Sequence, residues 1–372
     1  MTLALRRLAR GPSRVVLGSY VGARTRAWPQ HSRLFVVGDR FGWSIDDDAE
    51  RLRATASRLG YTVAADSWAP FADRQSVFSH DHFGALQPQW TRSTHRLGLS
   101  YFHGRPGTPG SPEFDDAFER LRRNAGRVER VQVTHAEMHD LVRSAGVAAE
   151  RIFRIPIGVD IERFPLGDAA LRAAARERLG LPCAAFVVGS FQKDGVGRGA
   201  GLEPKAIKGP DVLVVVLERL RAAIPELTVL LTGPARGYVR RALEQRAIPH
   251  VHAMLASRDE LASAYHALDA YVVTSRQEGG PKAAFEANAV GVPLVTTRVG
   301  QAQELLRDGE DALLVDVDDV DALVHAVLRI HDDRGLAERL RTAGRATAES
   351  YSEQRLDPRW DALLDGFVAR AG

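Results

Sequence analysis

Glu278 and Glu286 are the residues best placed to do chemistry. Seven residues separate them in Y-V-V-T-S-R-Q-E-G-G-P-K-A-A-F-E-A-N, Tyr271 to Asn288. An apolar run leads into Gly279, Gly280 and Pro281. Helical spacing then begins at Pro281, a residue favoured in a first helical turn. A helix start presents unpaired N–H groups to an anion, and a carboxylate accepts hydrogen bonds from hydroxyls. The pattern predicts a site that offers N–H donors to phosphate and carboxylates to a sugar or ribose. Without a ligand, Glu278 would be a capping residue and Glu286 an exposed helix residue. The completeness of the flanking pattern argues against that reading.

Lysine is scarce: of the 50 basic residues only Lys193, Lys205, Lys208 and Lys282 are lysine. All four fall in the same half of the chain as the glutamates. A compact ammonium is not freely exchanged for a planar guanidinium. Lys208 stands near a helix start, where the dipole disfavours a cation, and a bound phosphate would resolve that conflict. Lys205 and Lys282 read as solvated residues. A strand-end histidine, His103, closes the list of groups suited to a polar ligand.

Alternating strands and helices position these residues, and the alternation runs twice. In the first half, strands are expected at Leu34–Val37, Tyr61–Ala64, Leu97–Phe102, Val128–Thr134 and Arg151–Ile155. In the second half they are expected at Ala184–Gly189, Leu227–Leu231, Asp269–Thr274, Pro293–Thr296 and Ala312–Val315, with helices between. The pattern predicts two parallel α/β sheets. Such sheets bind ligands beyond the carboxyl ends of their strands. That rule points to the loops after Val37, Phe102, Val188, Leu231 and Thr274, and to a cleft between two domains.

Composition narrows the classes. The chain has 372 residues, one cysteine and a formal charge of +3. That length suits two domains, and a single cysteine allows no intramolecular disulfide, which favours a reducing compartment. The mild charge does not indicate nucleic acid. No apolar run approaches the roughly 18 residues that span a bilayer. The arginine-rich first 30 residues lack the apolar core of a secretory signal. They leave two readings open, a loosely packed extension and a segment touching a membrane surface. Asp46, Asp47 and Asp48 fall at a helix start, where capping and the dipole account for them. His135, His139, His250 and His252 have no metal-ligand spacing. No metal and no cofactor is expected. Gly38 and Gly42 lack the rest of a G-x-G-x-x-G fingerprint.

The Tyr271–Gly300 segment resembles the signature of retaining glycosyltransferases of family 4, which have the GT-B fold. Other segments match the same family in the same order. They are I-P-I-G-V-D-I-E-R-F-P (Ile155–Pro165), V-V-G-S-F-Q-K-D-G (Val187–Gly195), I-K-G-P-D-V-L (Ile207–Leu213) and Y-F-H-G (Tyr101–Gly104). The resemblance covers about residues 31 to 365. It implies two Rossmann-like parallel-sheet domains facing each other across a cleft. Their expected spans are 31–168 for the acceptor and 169–350 for the nucleotide-sugar donor, after a basic extension at 1–30. A C-terminal helical segment, 351–372, would cross back to the first domain.

The resemblance also implies roles. Glu278 would contact the donor sugar, and Glu286 the nucleotide ribose. Gly279, Gly280 and Pro281 would hold sugar and diphosphate by their backbone. Lys193 and Lys208 would hold the diphosphate, and His103 would sit near the sugar. Gly42 would lie in a loop near donor and acceptor. Met254 and Leu255 either flank the base or serve the core.

The chain departs from the family at Ser190, Phe191 and Gln192, where Gly-Arg is usual. It departs again in a long glycine-rich insert, Gly195 to Gly201, at Gly280-Pro281 and at Asn288. The implied activity is transfer of a hexose, with retention, from a nucleotide-diphosphate sugar to a glycan, lipid-linked or small-molecule acceptor in the cytoplasm. The rivals are a nucleotide-sugar epimerase on the same fold and a non-catalytic binding protein with a degenerate site. A nicotinamide dehydrogenase is more distant.

Overall fold

A computed structural model describes residues 20–38, 44–197 and 199–371. Gly42 and the first 19 residues of the expected extension lie outside the described residues. The chain divides into two compact units, Met1–Ile155 with Asp357–Gly372, and Pro156–Leu356.

The first unit holds a six-stranded parallel sheet. Its strands are β1 (Leu34–Val37), β2 (Val63–Ala64), β3 (Ser76–Ser79), β4 (Arg96–Ser100), β5 (Val128–Val133) and β6 (Ile152–Arg154). Their order is β2-β1-β3-β4-β5-β6. Leu34, Phe35 and Val36 are fully buried, as a parallel strand covered on both faces requires. The central strand β3, S-V-F-S, was not expected. Its serines break the apolar run, yet all four residues are buried, and Ser76 donates to Phe367 O at 2.5 Å. The C-terminal helix Asp357–Leu364 packs in this unit, and Leu363, Leu364 and Phe367 are fully buried beside Leu34, Val36 and Phe78.

The second unit repeats the plan. Its strands are β7 (Phe186–Ser190), β8 (Leu227–Thr232), β9 (His250–Ala253), β10 (Ala270–Val273), β11 (Leu294–Thr297) and β12 (Leu313–Val315). All pairings are parallel, in the order β12-β11-β10-β7-β8-β9. β9, H-V-H-A, also escaped the sequence reading, because half-buried histidines alternate in it where an apolar run would mark a strand. The junction falls at Ile155/Pro156 instead of after residue 168. The reason is packing: Val159 and Phe164 are buried in the same core as Tyr265, Tyr271 and Phe285 of the second unit. At the other end, Tyr351–Leu356 stays with the second unit, where Val159 bridges to Ser352.

Candidate functional site

Glu278 follows β10 and is 8% exposed. A buried carboxylate is costly unless cations and donors meet it. Three do, all at one oxygen. Lys208 Nζ lies 2.6 Å from Oε1, Ser275 Oγ donates at 2.8 Å, and Gln192 Nε2 donates at 2.9 Å. Three elements supply them: the turn before the helix Pro210–Ala223, the end of β10, and the loop after β7.

Lys208 is placed by a backbone that only glycine tolerates. It ends the short helical turn Ala206–Lys208, and Gly209 follows with φ of 60°. A Cβ at Gly209 would stand 2.0 Å from Thr274 O. The Thr274 hydroxyl instead donates to Gly209 O at 2.9 Å, and Ile207 O accepts from the N–H groups of Arg276 and Gln277. Lys208 and Glu278 are thereby fixed across two neighbouring loops.

The Gly279-Gly280-Pro281 turn is locked from behind. Gln301, fully buried, donates its N–H to Gly279 O at 3.0 Å. Its side chain accepts from Ile157 N at 2.8 Å and donates to Ile157 O at 3.0 Å. A Cβ at Gly280 would come within 2.7 Å of Gln301 Oε1 and 2.9 Å of Ile157 Cδ1. This explains glycine at 280 and ties I-P-I-G to the E-G-G turn. Pro281 is the residue before the helix, with ψ of 87°, and the helix runs Lys282–Val290, one residue later than expected.

Glu286 lies in that helix and is 5% exposed. Arg258 Nη2 donates to Oε1 at 2.6 Å, and Tyr265 Oη donates to Oε2 at 2.9 Å. Burial, and then the Glu286 charge, pushes the Tyr265 hydroxyl far above its ordinary value, so it stays a neutral donor. The Arg258 guanidinium also lies over the Phe164 ring, 5.8 Å from its centre. Phe191 packs 4.7 Å from the Tyr265 ring, and its N–H donates to Tyr271 Oη at 2.9 Å.

The structure therefore brings Glu278, Glu286, Lys208 and the glycine turn into one region of the second unit, at the carboxyl ends of β7 and β10. Lys193 is half-buried in the loop after β7. Leu255 packs against the core of the second unit, and Met254 is 66% exposed. His103 belongs to the first unit, after β4. Its ring packs against His82, Phe83 and Phe114 at 5.5, 6.2 and 5.6 Å. Lys205 and Lys282 are half-buried. Asp46 and Asp47 occupy the first turn of the helix Ser44–Arg58. Among the described residues, no cluster of histidine, cysteine and carboxylate side chains could hold a metal ion.

Sequence reading missed Gln192, Ser275, Gln301, Arg258 and Tyr265. One signal was available for Arg258. Ser257 caps the helix Arg258–Tyr265, so this arginine stands at a helix start, where a cation is disfavoured. Its presence there calls for a nearby anion, as the same anomaly does at Lys208.

Comparison with known proteins bears on the fold and on part of the chain. Residues 201–347 match the model of the family described as glycosyl transferases group 1. A D-inositol 3-phosphate glycosyltransferase of Xylanimonas cellulosilytica is 34% identical over 254 residues, 64% of this chain and 56% of that protein. One from Catenulispora acidiphila is 29% identical over 300 residues, 75% of this chain and 65% of that protein. The chain thus spans only about half to two thirds of the length of these relatives. Among solved structures, Anabaena HepE in complex with UDP-glucose superposes with a TM-score of 0.71 at 16% identity, covering 90% of this chain and 99% of that one. Sucrose-phosphate synthase from Thermosynechococcus elongatus gives 0.69 at 17% identity, covering 90% and 98%.

Proposed function

We propose that this chain, which has the GT-B fold of glycosyltransferases and matches the group 1 family over residues 201–347, moves a hexose from a nucleotide-diphosphate sugar to a hydroxyl acceptor with retention. One observation carries the reading. Two buried carboxylates, seven residues apart, flank a glycine turn, and each is held by its own cation, Lys208 for Glu278 and Arg258 for Glu286. The uridine-diphosphate sugar bound by HepE supports a donor of that kind.

Each residue has a task in this reading. The diphosphate draws Lys208 toward itself, with Lys193 as a second cation, and the Gly279–Pro281 backbone holds phosphate and sugar. Glu278 is then free to accept from sugar hydroxyls. Glu286, with lone pairs left beyond those used by Arg258 and Tyr265, accepts from the ribose. In the reaction the bond from the anomeric carbon to the phosphate oxygen breaks, and negative charge grows on the diphosphate. Fixed cations and N–H groups stabilise that charge without a metal. The acceptor hydroxyl attacks from the leaving-group face, the new glycosidic bond forms, and the proton passes to a phosphate oxygen. The products are a glycoside and a nucleoside diphosphate. His103 is assigned to the sugar or acceptor as a positioning group, and the acceptor belongs to the glycans, lipid-linked sugars or small polyols.

The test is thermal unfolding with uridine, guanosine and adenosine diphosphates and with NAD, on the wild type and Glu286→Ala. A ligand at about 100 times its dissociation constant adds about 2.7 kcal/mol. A rise with one nucleoside diphosphate, reduced in Glu286→Ala, is expected and names the base. A response to NAD alone would sink the transferase reading. No response to any ligand would move the weight to a degenerate site.

A further inference from the structure

The loop that carries Gln192 and Lys193 includes Ser190, Phe191 and Gln192, where the resemblance calls for Gly-Arg. An arginine from another element bonds to this loop. Arg236, in the loop after β8, has a fully buried side chain. Its Nη1 donates to Ser190 O at 2.5 Å, and its Nε donates to Asp194 Oδ1 at 3.1 Å. Nη2 lies 2.9 Å from Asp194 Oδ2 and 3.4 Å from Ser190 Oγ. Asp194 is itself buried, and its carbonyl accepts from Lys205 N at 2.7 Å. One guanidinium thus grips both ends of the segment Ser190–Asp194. Between those ends, Phe191 N–H is bonded to Tyr271 Oη, and Gln192 is bonded to Glu278.

Arg236 cannot reach a ligand, because burial and Asp194 enclose it. Removing Arg236 alone would leave Asp194 buried without its cation, but the pair as a whole can be separated from bulk stability. A buried ion pair is often replaceable by apolar residues of similar volume with no loss of stability. What an apolar pair cannot replace is the directed bond to Ser190 O.

We infer that Arg236 is a positioning residue for the nucleotide-sugar site: it fixes the Ser190–Asp194 loop so that Gln192 meets Glu278 and Lys193 faces the diphosphate. The glycine-rich insert serves the same anchor. Gly237 N–H donates to Ala200 O at 2.7 Å, and Tyr238 N–H donates to Gly201 O at 2.8 Å. A Cβ at Gly201 would stand 2.3 Å from Ala235 O. The insert is therefore stitched to the residues on either side of Arg236. The inference rests on the donor-site reading given above.

The test uses the full chain with Arg236→Lys, Arg236→Met and the double variant Arg236→Met/Asp194→Leu. Two readouts separate the anchor from the donor site. Amide exchange at Phe191–Lys193 reports the anchor with no ligand present. Calorimetric affinity for the nucleoside diphosphate that stabilises the wild type, with kcat and KM for donor hydrolysis, reports the site.

All three variants should exchange faster over Phe191–Lys193. They should lose roughly 10- to 100-fold in nucleotide affinity or kcat, the range expected of a misplaced site. The double variant should recover melting temperature without recovering affinity or kcat, whereas a merely structural role would restore all together. Unchanged exchange in folded single variants would overturn the inference. So would faster exchange with affinity and turnover within about twofold of wild type, a change below 1 kcal/mol. If the wild type binds no nucleotide, the donor reading fails and this assignment with it. The exchange data would then still say whether Arg236 holds the loop.

Discussion

At the scale of single residues, the candidate site is a set of charges already paired in the ligand-free protein. Lys208 sits 2.6 Å from Glu278, and Arg258 sits 2.6 Å from Glu286. In the proposed function, phosphate and hydroxyl groups of the donor would exchange partners within this set, so no bare charge is buried beforehand. A different residue contributes a pH dependence of stability. His82 is buried in the first unit, and its Nε2 has no hydrogen-bond partner among the described residues. Burial, aided by the Arg120 charge, pushes its imidazole down to about 3 from an ordinary 6.5. Below the ordinary value the unfolded chain takes up a proton that the folded chain refuses. Stability present above about pH 6.5 is therefore lost progressively as pH falls toward about 3. Replacing His82 by leucine should flatten that decline. Urea midpoints at about pH 7.5 and about pH 5 should differ less in His82→Leu than in wild type, and an equal difference would remove His82 as the cause.

At the scale of elements, the site depends on loops whose backbone permits one residue type. Gly209 joins the Lys208 turn to the helix Pro210–Ala223 in a left-handed conformation, directly against Thr274 O. Substitution by alanine carries about 1–2 kcal/mol for that conformation alone. The 2.0 Å overlap then forces β10's following loop aside. Gly209→Ala should lower the melting temperature and weaken nucleotide binding more than its stability loss explains, because Lys208 and Glu278 move apart. Gly180→Ala is the control. It is also left-handed, at φ of 64°, but a Cβ there meets nothing within 4 Å. It should lose stability without losing affinity.

At the scale of the molecule, two units with separate cores share one chain, and the last segment returns to the first. Leu363, Leu364, Phe367 and Val368 are at most 2% exposed within the first unit's core. Arg58 pairs with Asp357 at 2.6 Å, and Tyr61 Oη donates to Asp361 at 2.9 Å. Deleting residues 357–372 should unfold the first unit and leave the second folded. Calorimetry would show one transition lost, and proteolysis would trim the chain to a fragment near Pro156–Leu356. Survival of both transitions would show that the first core does not need the returning segment. No helix among the described residues is long and apolar enough to cross a membrane.

Sequence by itself determined the α/β class, most strands of both sheets and the Glu278–Glu286 pair. Those features are written locally: apolar runs mark buried parallel strands, and glycine, proline and carboxylate at fixed spacing mark a turn beside a helix start. Strands β3 and β9 were illegible: neighbouring strands bury the serines of β3, and β9 is a half-buried edge strand in which histidines alternate. Only the tertiary structure could show that Gln192 and Ser275 complete the Glu278 site, that Arg258 and Tyr265 hold Glu286, and that Arg236 reaches Ser190. These partners are tens of residues apart in the chain, or packed by a backbone path that periodicity does not encode. A buried polar group takes whichever donor the fold delivers to it, and that delivery is decided when the sheets assemble.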